Sequence, residues 1–142
     1  MKLMTRAAVV ALATLAFTVG CGSSDKAPTT PTGNGLVTHT FTYVRPTSAP
    51  TVTAVNLVGS FNAWNTTAKA MTQQTDGSWK TTLDLAPGTY QYKYFMNGST
   101  WPNNMCNDPT WGDPNHGGKI DLTVTTCSDD GNGGQNGVLT IQ

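Results

Sequence analysis

From residue 36 the chain alternates apolar and polar side chains with a period of two, interrupted every few residues by Gly, Pro, Asn or Asp. Over 36–44, Val37, His39, Phe41 and Tyr43 fall on one side and Thr38, Thr40 and Thr42 on the other, until Arg45-Pro46 and Pro50 break the run. A period of two is the repeat of a strand, whose successive side chains point to opposite faces. A second strand is expected at 53–58, ending at Gly59, with a short third at 69–73. Asp76-Gly77 signals a tight turn into 78–85, where Trp79, Thr81, Leu83 and Leu85 share a face, so Trp79 is expected in the core. After Ala86-Pro87-Gly88, residues 89–97 place Tyr90, Tyr92, Tyr94 and Met96 on one face and Gln91, Lys93, Phe95 and Asn97 on the other. Asn97-Gly98 closes the hairpin, since both residues tolerate positive φ.

Residues 102–118 are dense in Asn, Asp, Pro and Gly, and a loop of that length inside a domain is usually functional or pinned. At 119–125 the alternation of Ile120, Leu122 and Val124 predicts a further strand. The stretch 128–137 reads as a Gly/Asn-rich spacer, and 138–142 as an edge strand or a frayed end. No long segment after residue 20 carries the i, i+3, i+4 apolar repeat of a helix. Short strands at regular spacing predict an all-β sandwich, one domain at 36–127.

The first 20 residues differ in kind. Lys2 and Arg6 precede the apolar run 7–17, the pattern of a secretory signal, which is too short to span a bilayer. Cys21 follows directly, and the junction resembles a bacterial lipobox, with small Gly20 before the Cys and Thr18 where Leu is usual. Cys21 is the candidate lipidation site, and Gly22 in place of Asp implies an outer-membrane lipoprotein of the cell envelope; plain secretion into the periplasm or beyond is the alternative. Residues 21–35, with two prolines and no apolar period, read as a flexible tether.

Charge and cysteine content narrow the picture. Without Lys2 and Arg6 the eight basic residues become six against eight acidic ones, a net charge of −2. No basic patch remains to hold nucleic acid. Charged residues are 11% of the chain, leaving Thr, Ser, Asn and Gln to supply a surface suited to an uncharged, hydroxyl-rich ligand. Three cysteines are an odd count. With Cys21 assigned to lipid, Cys106 and Cys127 are left to pair as a disulfide in an oxidising compartment. A metal site has no second close Cys or His to build on, and no metal or cofactor is expected.

The candidate chemistry lies in turns. Flat rings stack on sugar C–H faces, and fixed donors and acceptors meet the hydroxyls; Trp supplies large area at low entropic cost. Trp64 follows the Gly59-Ser60-Phe61-Asn62-Ala63 turn, Trp101 follows Asn97-Gly98, and Lys93 lies on the strand between them. Together with Asp76-Gly77-Ser78-Trp79 and the run from Leu85 to Phe95, these motifs resemble carbohydrate-binding module family 48. That family includes the glycogen-binding domain of AMP-activated protein kinase β subunits, and the resemblance covers about 36–124.

The resemblance implies an early-set, immunoglobulin-like sandwich and carries sugar-binding roles onto Trp64, Lys93 and Trp101. Family members carry a Gly-x-x-Asn step before the last strand, whose Asn meets a glucose hydroxyl. Here the chain reads Gly117-Gly118-Lys119-Ile120-Asp121, so Lys119 or the nearby Asn115 is the candidate substitute. Trp111 is an extra ring, open as a binding wall or a loop anchor.

Catalysis finds no support. Glycoside hydrolysis needs two carboxylates flanking the bond, yet the chain has no Glu and its Asp residues fall mostly in turns. Asp129-Asp130-Gly131-Asn132 lacks the rest of a calcium loop and is treated as solvated spacer. Two readings follow. In the first the chain is a non-enzymatic α-glucan-binding module tethered to a membrane by lipid. In the second it is an envelope-tethered protein-interaction or structural sandwich that holds a protein partner and binds no sugar.

Overall fold

The period-two segments become strands in the computed structural model, which describes residues 35–142. The signal segment at 1–20, the candidate lipidation site Cys21 and nearly all of the tether at 21–35 lie outside the described residues. The strands are β1 (Val37–Tyr43), β2 (Val55–Gly59), β3 (Thr72–Gln73), β4 (Trp79–Leu85), β5 (Gly88–Met96), β6 (Thr126–Asp129) and β7 (Gln135–Ile141). They form two antiparallel sheets, β1-β4-β3 and β2-β5-β7-β6. This is the expected all-β, immunoglobulin-like sandwich, with no α-helix among the described residues.

The inner faces carry the apolar half of each alternation. Phe41 and Tyr43 of β1, Trp79 and Leu85 of β4, Leu57 of β2 and Tyr92, Tyr94 and Met96 of β5 pack into one core. Phe41 meets Tyr92 edge to face at 4.9 Å between ring centroids, the geometry that ring quadrupoles favour. Trp79 is buried, as its strand face requires. The segment 69–73 stitches the sheets together. Lys69 and Met71 exchange backbone hydrogen bonds with Leu57 and Val55 of β2, and the next two residues, Thr72 and Gln73, pair with β4.

Two expectations are corrected at the end of the chain. Residues 119–125 are turns and bridges, and the strand lies at Thr126–Asp129. The cause is Asp121, which is fully buried. Its Oδ1 accepts from Thr123 N and Oγ1 at 2.7 and 2.6 Å, curling the backbone into a turn that leaves Leu122 exposed. Its Oδ2 accepts from the hydroxyls of Tyr92 and Tyr94, each at 2.8 Å, so a buried carboxylate is satisfied without a cation. Burial first, and then the Asp121 carboxylate, push both tyrosines well above their usual range, so they stay protonated as donors.

The second correction concerns β7, which lies between β5 and β6 and is neither an edge strand nor a frayed end. The sandwich therefore extends through Ile141, beyond a boundary at 127. The stretch 130–134, expected as spacer, is the turn of the β6–β7 hairpin, closed by Asp130 N donating to Gly134 O at 3.0 Å.

Candidate functional site

On its outer face the four-stranded sheet floors a cleft of about 570 Å³. Trp64 rises on one side, Trp101 and Pro102 line it from the following loop, and Gln91, Lys93 and Asn136 come from the strands. Asn103, Asp130, Asn132 and Gly134 complete it.

Trp64 is set by a knot of short-range bonds. Asn62 Oδ1 accepts from Gly59 N at 2.9 Å, Asn62 Nδ2 donates to Leu57 O at 3.1 Å, and Trp64 N donates to Gly59 O at 3.0 Å. The chain reverses so tightly that Ala63 and Trp64 both take positive φ, 52° and 59°. Left-handed backbone is unfavourable for a bulky residue and persists where its surroundings impose it. Gly59 is needed for another reason: a Cβ there would stand 2.5 Å from Gln91 O. The indole that results is 37% exposed, so it is a surface ring and not a core one.

Trp101 is placed by the hairpin tip. Asn97 has φ 52° and Gly98 φ 74°, the positive pair expected from their types. Asn97 Oδ1 accepts from Thr53 N at 2.8 Å and its Nδ2 donates to Thr51 O at 2.9 Å, pinning the tip to the approach to β2. Phe95 then backs the Trp101 ring at 4.8 Å between centroids, leaving the indole 38% exposed.

Between the rings the floor is polar. Gln91, Lys93 and Phe95 occupy the outward half of the β5 alternation, as expected. Asn136 Nδ2 donates to Gln91 Oε1 at 2.9 Å, which fixes the orientation of both amides. Lys93 is not a solvated outward residue: it is 7% exposed and paired with Asp130. Lys93 Nζ donates to Asp130 Oδ2, while Asp130 Oδ1 accepts from the backbone N–H of Asn132 at 2.8 Å and of Gly134 at 3.0 Å. The Lys93 hydrogen bond, followed by those two N–H groups, brings the Asp130 carboxyl down to about 2. Gly134 permits the approach, since a Cβ there would meet Asn103 O at 2.5 Å and Asp130 Oδ2 at 2.7 Å.

The structure thus brings Trp64, Lys93 and Trp101 together, and it does not bring Asn115 or Lys119 to them. Asn115 lies in a short 3-10 turn at Pro114–His116, where its N–H donates to Asp113 Oδ1, and Lys119 bridges Asp113 through the backbone. The Gly-x-x-Asn step sought before residue 121 stands instead at Gly133-Gly134-Gln135-Asn136, at the start of β7. The last strand is β7, at Gln135–Ile141, and not 119–125, which is why the step lies one hairpin later than residues 117–121. Asp130 and Asn132, treated as spacer, are likewise part of the cleft wall. Trp111 is half-buried against the core and lines no part of the cleft, which makes it a loop anchor.

Cys106 and Cys127 form the expected disulfide, with Cα atoms 6.0 Å apart. It ties the long loop to β6 close to where Gln135 N donates to Asn103 O at 2.7 Å. The cleft therefore offers two exposed rings, a fixed amide pair and a neutralised ion pair, an arrangement matched to a ligand with apolar faces and many hydroxyls.

No curated protein matches the chain. Residues 49–113, from the approach to β2 through β5 and the loop that carries Trp101, match the family model described as the glycogen recognition site of AMP-activated protein kinase, which supports a carbohydrate-binding module.

Proposed function

We propose that this chain is a non-catalytic α-glucan-binding module, exported and held at the bacterial cell envelope through lipid on Cys21. The observation that carries the reading is the convergence of two exposed indoles, Trp64 and Trp101, on one cleft floored by hydrogen-bonding side chains. Glucose units stack on the two rings, while the Gln91 and Asn136 amides and the remaining N–H groups of Lys93 meet their hydroxyls. The match to a glycogen-recognition family supports glycogen- or starch-type polymers as the ligand.

The carboxylates support binding without cleavage. Among the described residues Asp130 is the one carboxylate lining the cleft, and it is engaged by Lys93 and two backbone N–H groups. Hydrolysis by the usual route needs a second carboxylate across the bond. The test is retention of the chain from Gly22 onward on insoluble starch and on cellulose, with the products in solution checked for released sugar. Retention on starch alone, with no sugar released, supports the reading. Failure to bind either polymer leaves a sandwich that acts through protein contacts.

A further inference from the structure

We infer that Asp130 is a specificity-determining residue that makes the cleft selective for uncharged glucan over glucan bearing anionic groups. The inference rests on the proposed glucan site and adds to it the class of sugar that is refused.

An ammonium on the floor of a sugar cleft donates to hydroxyls, but it also attracts phosphate and carboxylate, at least as strongly as any hydroxyl. Here the Lys93 charge is answered at contact distance. Asp130 Oδ2 takes one of the Nζ donors, and the pair is nearly withdrawn from water, with side-chain exposures of 9% for Lys93 and 12% for Asp130. From the cleft, the two charges present a dipole whose field decays faster than that of either charge alone, so an anion gains little by approaching. An anionic group would also lose its hydration on entering a cleft that supplies no net positive charge.

The pair is built in, since Asp130 has no freedom to swing away. Its Oδ1 accepts from Asn132 N and Gly134 N, and its own backbone closes the hairpin with Gly134. Among the described residues no other Lys or Arg lines the cleft, so removing the Asp130 charge exposes a single unopposed ammonium. Asp130→Asn is the informative substitution. Asn keeps the Oδ1 acceptor that the two N–H groups require, while its Nδ2, a donor where Oδ2 accepted, removes both the negative charge and the bond to Lys93.

The experiment is titration of the purified protein with maltoheptaose and with a maltoheptaose bearing a C6 phosphate ester, at low and at high ionic strength. The native protein is expected to bind the neutral sugar at least tenfold more tightly than the phosphorylated one. In Asp130→Asn that preference is expected to collapse to threefold or less, and binding of the phosphorylated sugar to become sensitive to salt. Lys93→Met, which leaves Asp130 uncompensated, is expected to widen the preference beyond the native ratio; its readout survives if Asp130→Asn folds poorly. Equal native affinity for both sugars, or ratios unmoved in both variants, overturns the inference and leaves the glucan site standing. Failure of the native protein to bind either sugar overturns both.

Discussion

Asn136, at the start of β7, donates through Nδ2 to Oε1 of Gln91 on β5 across 2.9 Å, so the last strand of the sandwich supplies half of the cleft's amide floor. The two residues are 45 positions apart, and only the pairing of β7 with β5 brings them together.

Asn136→Ala removes one donor and leaves Gln91 Oε1 without its partner. A net hydrogen bond is worth about 0.5–1.5 kcal/mol, so affinity for maltoheptaose should fall about two- to tenfold, with the fold retained. Calorimetric titration measures this directly. Unchanged affinity would take Asn136 out of the binding floor.

Much of the sandwich was legible because its strands bury one face. Phe41 and Tyr43, Trp79 and Leu85, and the Tyr92-Tyr94-Met96 face all stand inside, where the alternation puts them. The same rule failed at 119–125, where Ile120 and Val124 are buried although Leu122 is not, and the buried Asp121 bends the chain. Trp64 and Trp101 were legible from the turns that present them. Gln91, Asp130 and Asn136 were not, because their meeting depends on strand pairings between distant segments. A Gly- and Asn-rich stretch such as 130–136 shows no apolar pattern from which its place in a sheet can be read.

Asp121 holds two core tyrosines and the turn at Thr123. Its replacement by Ala strands the Tyr92 hydroxyl in an apolar surround, at a cost of about 1–3 kcal/mol, and leaves the Tyr94 hydroxyl only its 3.2 Å bond to Thr42 O. The expected result is destabilisation of about 2–4 kcal/mol, seen as a lower urea midpoint with an unchanged slope. A midpoint within experimental error of the native one would contradict the role assigned to this carboxylate.

The Cys106–Cys127 disulfide closes a loop of 21 residues, and the chain-entropy model gives about 3 kcal/mol for a loop of that order. Replacing both cysteines by Ser should lower stability by roughly that amount in urea unfolding. It should also weaken maltoheptaose binding, because the bond steadies the loop that carries Asn103 to Gln135. Loss of stability with full affinity would separate the disulfide from the cleft.

The Asp130 carboxyl, held at about 2 in the folded protein by Lys93 and two backbone N–H groups, titrates nearer 4 once unfolded. A lowered folded value favours the fold wherever the carboxyl is ionised. That contribution is complete above about pH 4 and is lost as pH falls toward about 2. Asp76, lowered by its Ser78 hydrogen bonds, and Asp113, lowered chiefly by its bond to His116, act in the same direction. Thermal melting should be steeper in pH below 4 for the native chain than for Asp130→Asn. Identical acid profiles would show that the ion pair contributes nothing to folding.

The measurement that bears most directly on the account is starch retention by the native chain beside Trp64→Ala and Trp101→Ala, each shown to be folded by circular dichroism. Both indoles are exposed, so their removal should leave the core intact. Native protein should be held on starch and not on cellulose, and each variant should lose at least tenfold in affinity, about 1.4 kcal/mol. Folded variants that bind starch as tightly as the native chain would contradict the assignment of this cleft as the glucan site.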